Sequence, residues 1–498
     1  MAEPTGGPAT WLGVDVGSTA TKATAFDADG LPLASGTAGY PVLRPAPDEA
    51  EQDADAWLRA VDTSVAAVAS AVDLSGVRGI GVTSQVDTHV PVDADLQPLL
   101  PALLWQDVRT AGTAAGLNAV LGEDGRRAGW GDPRPLDASN PVVRALWLAE
   151  HRADAWSRTR WLLLPKDLVT AWLTGTVGAD PLGSFKVVSA DARYVPGIAH
   201  APGLAERLGP LGAPESVLGT TTRPWHGIGA GTPVATGTMD AFGNVLGSGL
   251  RDPGDTMLVV GTSVIAGAVA LPGRTGPGVV SFAPFRGRTV VAGPTQSGGD
   301  SLRWWAAATG HPIEAVLAAA ATAAPGAGGV VFAPHLLGER APLWDDEVRA
   351  WFTGLSAGTA FPELCRAVLE GVAHSARELL DAVESASGVP TGSITLSGGG
   401  SRSALWCQVF ADVTGRPVQR SLERDTAVVG AATLAAAAVG GTDPFEQGRE
   451  LATTDLALAP DPGAQPVHDA LHRTYRDTYR ALRDVHHDLR SLPQEAAP

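Results

Sequence analysis

The sequence has 498 residues, which is too long for a single hydrophobic core, so two domains of about equal size are expected. Its 44% hydrophobic and 18% charged residues are typical of a globular protein, and the net charge of −17 argues against nucleic acid or an anionic membrane as a partner. The two cysteines, Cys365 and Cys407, lie in apolar helical contexts and do not indicate a disulfide framework. Met1–Pro8 lacks the basic and apolar regions of a signal peptide and no apolar run is long enough to span a membrane, so we expect a cytoplasmic protein.

The first half of the sequence predicts strands and helices in an order typical of a mixed sheet with helices on its faces. Apolar runs bounded by turn residues indicate the strands, and apolar residues at spacings of three and four indicate the helices. The predicted strands are 11–16, 21–27, 31–40, 77–83 and one that ends at Val92. The predicted helices are 54–72 and those of the stretch 142–174, where Pro165 starts a second helix at Lys166.

The second half repeats this plan. The predicted strands are 256–260, 264–270, 289–292 and 394–396, and the predicted helices are 300–309, 361–387, 403–414, 427–439 and 466–490. The last helix carries apolar residues at spacings of four and three, which predicts a seam that faces the core. Glycine-rich sequence near 243–251 joins the two plans, so we expect one domain at 1–246 and another at 247–498.

Two similar turns, one in each half, carry the main functional signal. Each follows an apolar strand and breaks into glycine with serine or threonine: Gly17-Ser18-Thr19 and Gly261-Thr262-Ser263. Such a turn directs backbone N–H groups and hydroxyls at one point, which suits a phosphate. Because each half has one, we expect both halves to hold the same nucleotide, and phosphoryl transfer is the leading hypothesis.

Two charged residues accompany the first turn. Asp15 stands in a strand otherwise built of Leu, Val and Gly, where a buried carboxylate needs a cation or hydrogen-bond donors. Mg²⁺ bound through water is one such partner, and a hydrogen bond to its own turn is the alternative. Lys22 could neutralise phosphate charge as a point cation or could simply face solvent.

Asp240 is the candidate catalytic residue. It follows an apolar strand and a run of small residues, at the carboxyl end of the strand, where ligands gather in sheets of this type. A carboxylate there can accept the proton of an attacking hydroxyl, as the catalytic Asp of other phosphotransferases does. The alternative is an Asp that only caps the helix that follows.

Three further sequence patterns bear on function. A strand that ends in Gly398–Gly400 before a helix allows close approach of the backbone to a flat or phosphorylated ligand. Gly227–Gly231 looks like a dinucleotide fingerprint, but it precedes a strand and is interpreted as a turn. His468 and His472 have metal-ligand spacing, but no partner ligand is suggested, and a surface pair is expected.

Together these motifs resemble the FGGY family of carbohydrate kinases over residues 10–490. The two turns are similar to the family's two phosphate motifs, and 397–403 is similar to its adenosine-side loop. The other segments that resemble family blocks are Gly81–Gln85, Leu104–Arg109, Leu164–Asp167, Gly338–Pro342 and 354–373.

The resemblance implies an α/β fold of the actin, Hsp70 and hexokinase ATPase type, with two ribonuclease H-like lobes around a central cleft. By position, Asp240 would deprotonate a hydroxyl of a sugar or polyol, which attacks the γ-phosphate of ATP, and Asp15 would lie on the Mg²⁺ side. The implied ATP-binding residues are Gly17, Ser18, Thr19, Lys22, Gly261, Thr262, Gly299, Gly399, Gly400 and Ser403. The implied substrate-binding residues are Gln85, Val86, Asp87, Trp105 and Asp240.

The segment 84–89 departs from the family pattern. Asp87 replaces the His or Glu that touches substrate hydroxyls, Val86 removes the Arg of glycerol kinases, and Ala241 stands where Asn or Gln often contributes a hydrogen bond. Neither xylulose nor glycerol can therefore be assigned as the substrate.

Three hypotheses follow from the sequence. The first is an ATP-dependent kinase of a small sugar, ketose or polyol. The second is a kinase of a sugar acid or similar metabolite, in which Arg109 or Arg144 pairs with the substrate carboxylate. The third is a nucleotide-responsive binding module without catalysis on the same fold. The sequence does not decide the oligomeric state, and a homodimer is left open.

Overall fold

A computed structural model describes residues 8–491 of the chain. Residues 1–7, on which part of the signal-peptide expectation rests, and residues 492–498 lie outside the described part. The chain divides into two compact units, the first formed by Met1–Gly249 and Thr426–Thr453, and the second by Leu250–Asp425 and Thr454–Pro498. Within residues 8–491, no helix is both long enough and apolar enough to cross a membrane.

The strands of both halves are short. In chain order they are β1 Trp11–Val16, β2 Ala20–Phe26, β3 Pro32–Gly39, β4 Glu51–Gln52, β5 Gly79–Ser84, β6 Val90–Val92, β7 Ala102–Leu103, β8 Trp161–Leu163, β9 Val217–Thr220, β10 Pro233–Ala235, β11 Thr238–Met239, β12 Thr256–Val260, β13 Val264–Ala270, β14 Val280–Ser281, β15 Thr289–Pro294, β16 Val331–Ala333, β17 Trp351–Thr353, β18 Ile394–Ser397, β19 Val418–Ser421 and β20 Thr454–Leu458.

The helices fill the connections between these strands. They are α1 Ala54–Ala69, α2 Ala111–Trp130, α3 Pro141–His151, α4 Ala153–Arg158, α5 Pro165–Thr174, α6 Asp240–Gly247, α7 Gly299–Thr309, α8 Ile313–Thr322, α9 Phe361–Ser387, α10 Ala404–Thr414, α11 Thr426–Gly440, α12 Pro444–Leu451 and α13 Gln465–Ser491.

Each unit contains a mixed seven-stranded sheet. In the first sheet β1 is antiparallel to β2 and parallel to β5, and β5 is parallel to β10 and β11. In the second sheet β12 is antiparallel to β13 and parallel to β18, which is parallel to β19. The repeated plan expected from the sequence is confirmed, because in each unit a meander leads into parallel strands whose carboxyl ends share one edge.

Helix packing on the first sheet follows from the apolar pattern of α1. Asp53 begins the helix by accepting a hydrogen bond from the Asp55 N–H. Trp57, Val61 and Val65 recur at spacings of four and are fully buried in the core of the first unit. The periodicity read from the sequence therefore predicts both this helix and its buried face.

The alanine-rich helix α11 belongs to the first unit, although it lies far along the chain. A Cβ atom on Gly81 would lie 1.8 Å from the Ala431 carbonyl oxygen, and one on Gly13 would lie 2.0 Å from the Val428 carbonyl oxygen. Only glycine in β1 and β5 lets the helix backbone approach so closely. The first unit thus includes Thr426–Thr453, which the division into 1–246 and 247–498 assigned to the second half.

Some elements differ from the sequence-based expectation. The stretch 142–174 holds three helices rather than two, with β8 between α4 and α5, and the second helix expected from Pro165 is confirmed as α5. Helix α2 was not predicted, since its glycine-rich sequence has no apolar stripe, and Gly122 interrupts it with φ +60°. Helices α8 and α12 were also missed.

The core-facing seam expected on α13 is partly wrong. Val485 and Leu489 are about half exposed, whereas His468 and His472, expected at the surface, are buried. The reason is aromatic packing: the His472 ring stacks on Tyr475, with centroids 6.1 Å apart, and lies 5.5 Å from the ring of His374 on α9. Histidine here acts as a core aromatic residue.

Candidate active site

Three strand ends of the first unit converge at one edge of its sheet. Residues Asp15 and Val16 of β1 pair with Thr83 and Ser84 of β5, and Met239 of β11 pairs with the same Ser84. The residues that continue these three strands are Gly17, Gln85 and Asp240. The register therefore brings the first phosphate-type turn, the start of the predicted substrate segment and the predicted base to adjacent positions.

Asp240 is the first residue of α6. The N-cap position before it is occupied by Met239, so Asp240 does not cap this helix. Its Oδ1 accepts a hydrogen bond of 2.7 Å from the Ala241 N–H, and the positive end of the helix favours the ionised carboxylate. Gly237, just upstream, has φ +78°, and a Cβ there would lie 2.2 Å from the Val82 carbonyl oxygen. Only glycine permits this approach to the sheet edge.

A buried ion cluster supports the strands that lead to Asp240. The ammonium group of Lys166, on α5, lies 3.1 Å from Asp180 Oδ2 and also contacts Asp167. Thr238 of β11 donates a hydrogen bond of 2.8 Å to Asp180 Oδ1. Burial alone would lower the pKa of Lys166, but the two carboxylates more than offset it and raise that pKa above its usual value. The cluster thus holds a charged lysine beneath β11.

Asp15 is buried beside the first turn, and its Oδ1 accepts a hydrogen bond of 2.9 Å from Thr83 Oγ1. Its other oxygen faces the turn, since a Cβ on Gly17 would lie 3.6 Å from Asp15 Oδ2. Within the described residues, no group of three or more His, Cys, Asp or Glu side chains could hold a metal. One carboxylate of this kind suits Mg²⁺, which keeps several waters and takes phosphate oxygens as further ligands.

Lys22 lies on β2, directly across from Asp15 in the antiparallel register. Its side chain is exposed, whereas its neighbours Thr21 and Ala23 are buried. The exposed cation is close in sequence to the turn at Gly17–Thr19, and its role in binding phosphate stays a prediction.

Polar side chains fix the first turn from outside. Tyr40 donates its hydroxyl proton to the Gly17 carbonyl oxygen at 2.7 Å, and Gln52 Nε2 donates to the Ser18 carbonyl oxygen at 2.6 Å. Both carbonyls point into the protein as a result. The turn is therefore held in one conformation without using its own side chains.

Two predicted substrate-binding residues connect to this turn. Trp105 Nε1 donates to Ser18 Oγ at 3.1 Å, and Gln85 Nε2 donates to Gln52 Oε1 at 3.0 Å. Gln85 Oε1 is buried and has no hydrogen-bond partner within residues 8–491. The substrate segment and the phosphate-type turn thus form one hydrogen-bonded assembly, with one acceptor still unused.

Asp87 has a constrained environment. Its backbone adopts φ +57°, a region that non-glycine residues rarely occupy, and the adjacent Val86 is half-buried. Its carboxylate Oδ2 lies 2.9 Å from Lys186 Nζ, and its carbonyl oxygen accepts a hydrogen bond from Arg144. Burial raises the pKa of Asp87 above its ordinary value, although Lys186 opposes this. Lys186 was not identified as a site residue from the sequence, although it is one of only three lysines there.

Arg109 and Arg144, the two arginines considered as partners for the carboxylate of a sugar acid, both contact protein groups. Arg144 is fully buried, and its guanidinium donates to the carbonyl oxygens of Asp87, Leu103 and Leu104 and to His89 Nδ1. Burial lowers the pKa of Arg144 to about 10, so it stays charged at neutral pH. Arg109 forms ion pairs with Asp107 at 2.7 Å and with Glu51 at 2.8 Å. Arg144 Nε has no hydrogen-bond partner within residues 8–491, but it is buried, and Arg109 is held by its ion pairs, so neither arginine is open to a ligand carboxylate.

The second turn, in the second unit, packs against the start of α7. The Gly298 N–H donates to the Thr262 carbonyl oxygen at 2.7 Å, and the Gly299 N–H donates to the Gly261 carbonyl oxygen at 2.8 Å. A Cβ on Gly299 would lie 2.6 Å from that same Gly261 oxygen. Arg303, which was not identified from the sequence, donates to Thr262 Oγ1 at 3.2 Å and adds a cation beside the turn. Its position one helical turn after the start of α7 could have identified it from the sequence.

The glycine loop follows β18, the strand next to β12, whose end carries the second turn. A Cβ on Gly398 would lie 2.6 Å from the Val260 carbonyl oxygen, and one on Gly400 would lie 2.4 Å from Val260 Cγ1, whereas one on Gly399 would meet nothing within 4 Å. Ser403 caps α10 by accepting a hydrogen bond from the Trp406 N–H. Gly399 is therefore the loop glycine open to a ligand, and the Ser403 hydroxyl already has a structural contact.

Comparison with known proteins identifies close structural relatives. A xylulose kinase of Klebsiella pneumoniae is 32% identical over 440 residues, which cover 86% of this chain and 90% of that protein. A gluconokinase of Bacillus subtilis is 26% identical over 460 residues, which cover 87% and 88%. The crystal structure of a xyloylose kinase from Brucella ovis matches with a TM-score of 0.82 and 29% identity, covering 95% of this chain and 99% of that chain.

These similarities confirm the expected α/β fold of the two-domain actin and hexokinase ATPase type. The models of the N-terminal and C-terminal domains of the FGGY carbohydrate kinases match residues 10–247 and 256–439. Together the two matches span most of the chain, one in each half. The chain belongs to the FGGY family of carbohydrate kinases, and its substrates are ATP and a sugar or a related polyhydroxylated compound.

Proposed function

We propose that this kinase transfers the γ-phosphoryl group of MgATP to a hydroxyl of a small sugar, ketose or polyol, with Asp240 as the general base. The observation that carries this proposal is the strand register that makes Gly17, Gln85 and Asp240 continue three adjacent strand ends. A phosphate turn, a hydrogen-bonding side chain and a carboxylate at one sheet edge are the groups that such a transfer needs.

Asp240 accepts the proton of the attacking hydroxyl. Its place at the start of α6 stabilises a negative charge on the carboxylate, and the Ala241 N–H holds Oδ1. The hydroxyl oxygen then attacks the γ-phosphorus in line with the departing β-phosphate oxygen, and the proton stays on Asp240. Catalysis of this kind depends on positioning and charge and needs no covalent enzyme intermediate.

In the first unit, the Gly17–Thr19 turn and Lys22 offer contacts for nucleotide phosphates. In the second unit, the Gly261–Thr262 turn and Arg303 offer contacts of the same kind. The adenosine lies against Gly299 and the Gly399–Gly400 loop, where the absence of side chains allows close approach. Asp15 would hold Mg²⁺, which would supply positive charge to neutralise the phosphates.

The alternatives have less support. The gluconokinase relative keeps the sugar-acid hypothesis in view, but Arg109 is held by ion pairs within the protein and Arg144 is fully buried. A binding module without catalysis does not explain a buried ion cluster that supports the strand of Asp240.

We infer a cytoplasmic location because the reaction consumes ATP. A homodimer stays a hypothesis, to be tested by light scattering.

The proposal is tested by incubating the purified protein with MgATP and a panel of pentoses, hexoses, ketoses, polyols and aldonates. ADP release is followed by a coupled assay and the product is identified by mass spectrometry. The expected result is a sugar or polyol monophosphate formed in a one-to-one ratio with ADP. ADP release without any phosphorylated acceptor would contradict the proposal.

A further inference from the structure

The first unit contains an ion cluster formed by Asp87, Asp137 and Lys186. Lys186 Nζ lies 2.9 Å from Asp87 Oδ2 and 2.7 Å from Asp137 Oδ2, and it also donates to Ser139 Oγ at 2.5 Å. An ammonium group has three protons, so all three are used within the protein. Lys186 therefore has no donor left for a ligand and acts on Asp87.

The two carboxylate oxygens of Asp87 differ in their contacts. Lys186 holds Oδ2, whereas Oδ1 has no partner within residues 8–491, and the side chain keeps 18% of its surface exposed. An ionised carboxylate oxygen accepts hydrogen bonds only, so it selects hydroxyl donors and repels other carboxylates. This oxygen can therefore accept hydrogen bonds from the hydroxyl groups of a ligand.

The cluster lies within reach of the predicted base. Asp87 is three residues beyond Ser84, whose Cα partner is Met239, the residue before Asp240. At roughly 3.3 Å per residue, Asp87 is at most ~10 Å along the chain from that strand end. A substrate that contacts both carboxylates would have one hydroxyl at Asp240 and another at Asp87.

Two members of the cluster, but not Asp87, also line an open pocket. It has a volume of about 280 Å³ and is lined by Asp137 and Lys186 together with the aromatic side chains of Trp130 and Phe185. Apolar rings beside fixed polar groups are typical of small-molecule sites. The remaining cation in its lining, Arg134, is exposed and already paired with Asp132 at 2.6 Å.

The cluster offers a ligand a carboxylate oxygen and no accessible cation. The ammonium group of Lys186 is held by two carboxylates, and the guanidinium of Arg144, which donates to the Asp87 carbonyl oxygen, is fully buried. A substrate carboxylate brought here would meet the Asp87 carboxylate without an accessible cation. An uncharged polyhydroxylated chain would instead donate to Asp87 Oδ1.

We propose that Lys186 is a positioning residue that orients Asp87 toward distal hydroxyl groups, and that the cluster makes this kinase select uncharged sugars or polyols and reject sugar acids. The inference rests on the proposed kinase function and adds the charge class of its substrate. Lys186 fixes one oxygen of Asp87 and keeps its carboxylate turned toward the substrate.

The test uses matched pairs that differ only in a terminal group: sorbitol with gluconate, and xylitol with xylonate. For wild type, kcat/KM for the better uncharged member exceeds that for its aldonate by at least about a hundredfold, as expected for an unpaired charge at a buried polar site. Preference for the aldonate in both pairs overturns the proposal.

Three variants separate positioning from folding. Lys186→Met raises KM for the uncharged substrate about tenfold or more, leaves KM for ATP unchanged, and Lys186→Arg restores part of the loss. Asp87→Asn moves the selectivity toward the aldonate by about tenfold or more, because it removes negative charge while keeping the shape. Arg193→Met, which removes an exposed cation of the same segment, is the matched control and leaves all constants unchanged.

If Lys186→Met fails to fold, the double variant Asp87→Asn/Lys186→Met removes both charges and is measured instead, with the same expected rise in KM. Unchanged KM and selectivity in these variants overturn the proposal even when wild type is an active kinase. If wild type phosphorylates no acceptor, the proposed function fails separately. Calorimetric binding of sorbitol and gluconate then decides the inference: tighter binding of sorbitol supports it, and tighter binding of gluconate or no binding of either overturns it.

Discussion

Lys166 Nζ lies 3.1 Å from Asp180 Oδ2, and neither side chain is exposed to solvent. Through Thr238, Asp180 is connected to β11, whose next residue is Asp240. The predicted base therefore stands on a strand that a buried ion pair supports.

Replacing Lys166 with Met leaves Asp167 and Asp180 buried without their cation. Removing one partner of a buried pair typically reduces stability by about 3–5 kcal/mol. We expect the free energy of unfolding, measured by urea denaturation, to fall by about that amount. Arg134→Met, which breaks an exposed ion pair, serves as the control and should change stability by less than about 1 kcal/mol. Equal stability of the two variants would show that the buried pair does not support the strand.

The loop glycines allow nucleotide contact to be separated from folding. A Cβ on Gly399 meets nothing in the protein, so Gly399→Ala should fold normally but bind ADP about tenfold more weakly where the adenosine packs on the loop. A Cβ on Gly400 would lie 2.4 Å from Val260 Cγ1, so Gly400→Ala should lose about 1–3 kcal/mol of stability. Calorimetry and thermal denaturation give the two readings. Unchanged ADP affinity in Gly399→Ala speaks against adenosine at this loop.

The close approach of α11 to the first sheet depends on Gly81. Because its Cβ would lie 1.8 Å from the Ala431 carbonyl oxygen, Gly81→Ala must displace the helix and should strongly destabilise the first unit. Gly116→Ala in α2, where a Cβ meets nothing within 4 Å, is the matched control and should be neutral or stabilising by up to about 1 kcal/mol. Thermal denaturation compares the two. A Gly81→Ala protein as stable as wild type would contradict this packing.

Acid should weaken the second unit through its buried histidines. Burial lowers the pKa of His468 to about 4 and that of His472 to about 3, and it lowers the pKa of His374 well below its ordinary value. Since the unfolded chain binds protons near pH ~6.5 and the folded chain does not, this stability is present above that pH and is lost as the pH falls toward the folded-state pKa values.

We therefore expect the melting temperature to fall between about pH 7 and pH 5, and His472→Phe to reduce that dependence while keeping the stacked ring. Carboxylates elsewhere titrate in both wild type and the variant, so the difference between the two pH profiles reports the contribution of His472. A pH profile of His472→Phe that is parallel to that of wild type would rule out a contribution from this histidine.

Local patterns made much of the fold predictable. The two strand-turn-strand motifs, helix α1 and helix α9 follow from apolar spacing and turn residues, because each forms from contacts near in sequence. The position of Asp240 at a strand end was predictable for the same reason. The family resemblance then supplied the role that such a residue plays.

Contacts between distant segments were not predictable. Lys186 is about a hundred residues from Asp87 in sequence, and no local pattern connects the two side chains. The same holds for α11, whose packing on β1 and β5 depends on glycines far apart in the chain. His468 and His472 were misjudged because a polar residue type was taken as a surface residue, whereas packing against His374 buries them.

The central claim is that Asp240 takes the proton of the acceptor hydroxyl. Its most direct test is the kcat of Asp240→Asn, measured with the best acceptor from the panel, together with calorimetric ADP affinity; Asp191→Asn, an exposed carboxylate in the same unit, is the control. The Asn side chain keeps the hydrogen bond to the Ala241 N–H but cannot accept the proton, so we expect kcat to fall by about 10²–10⁴ with ADP affinity and melting temperature unchanged. A kcat within about threefold of wild type would contradict the account.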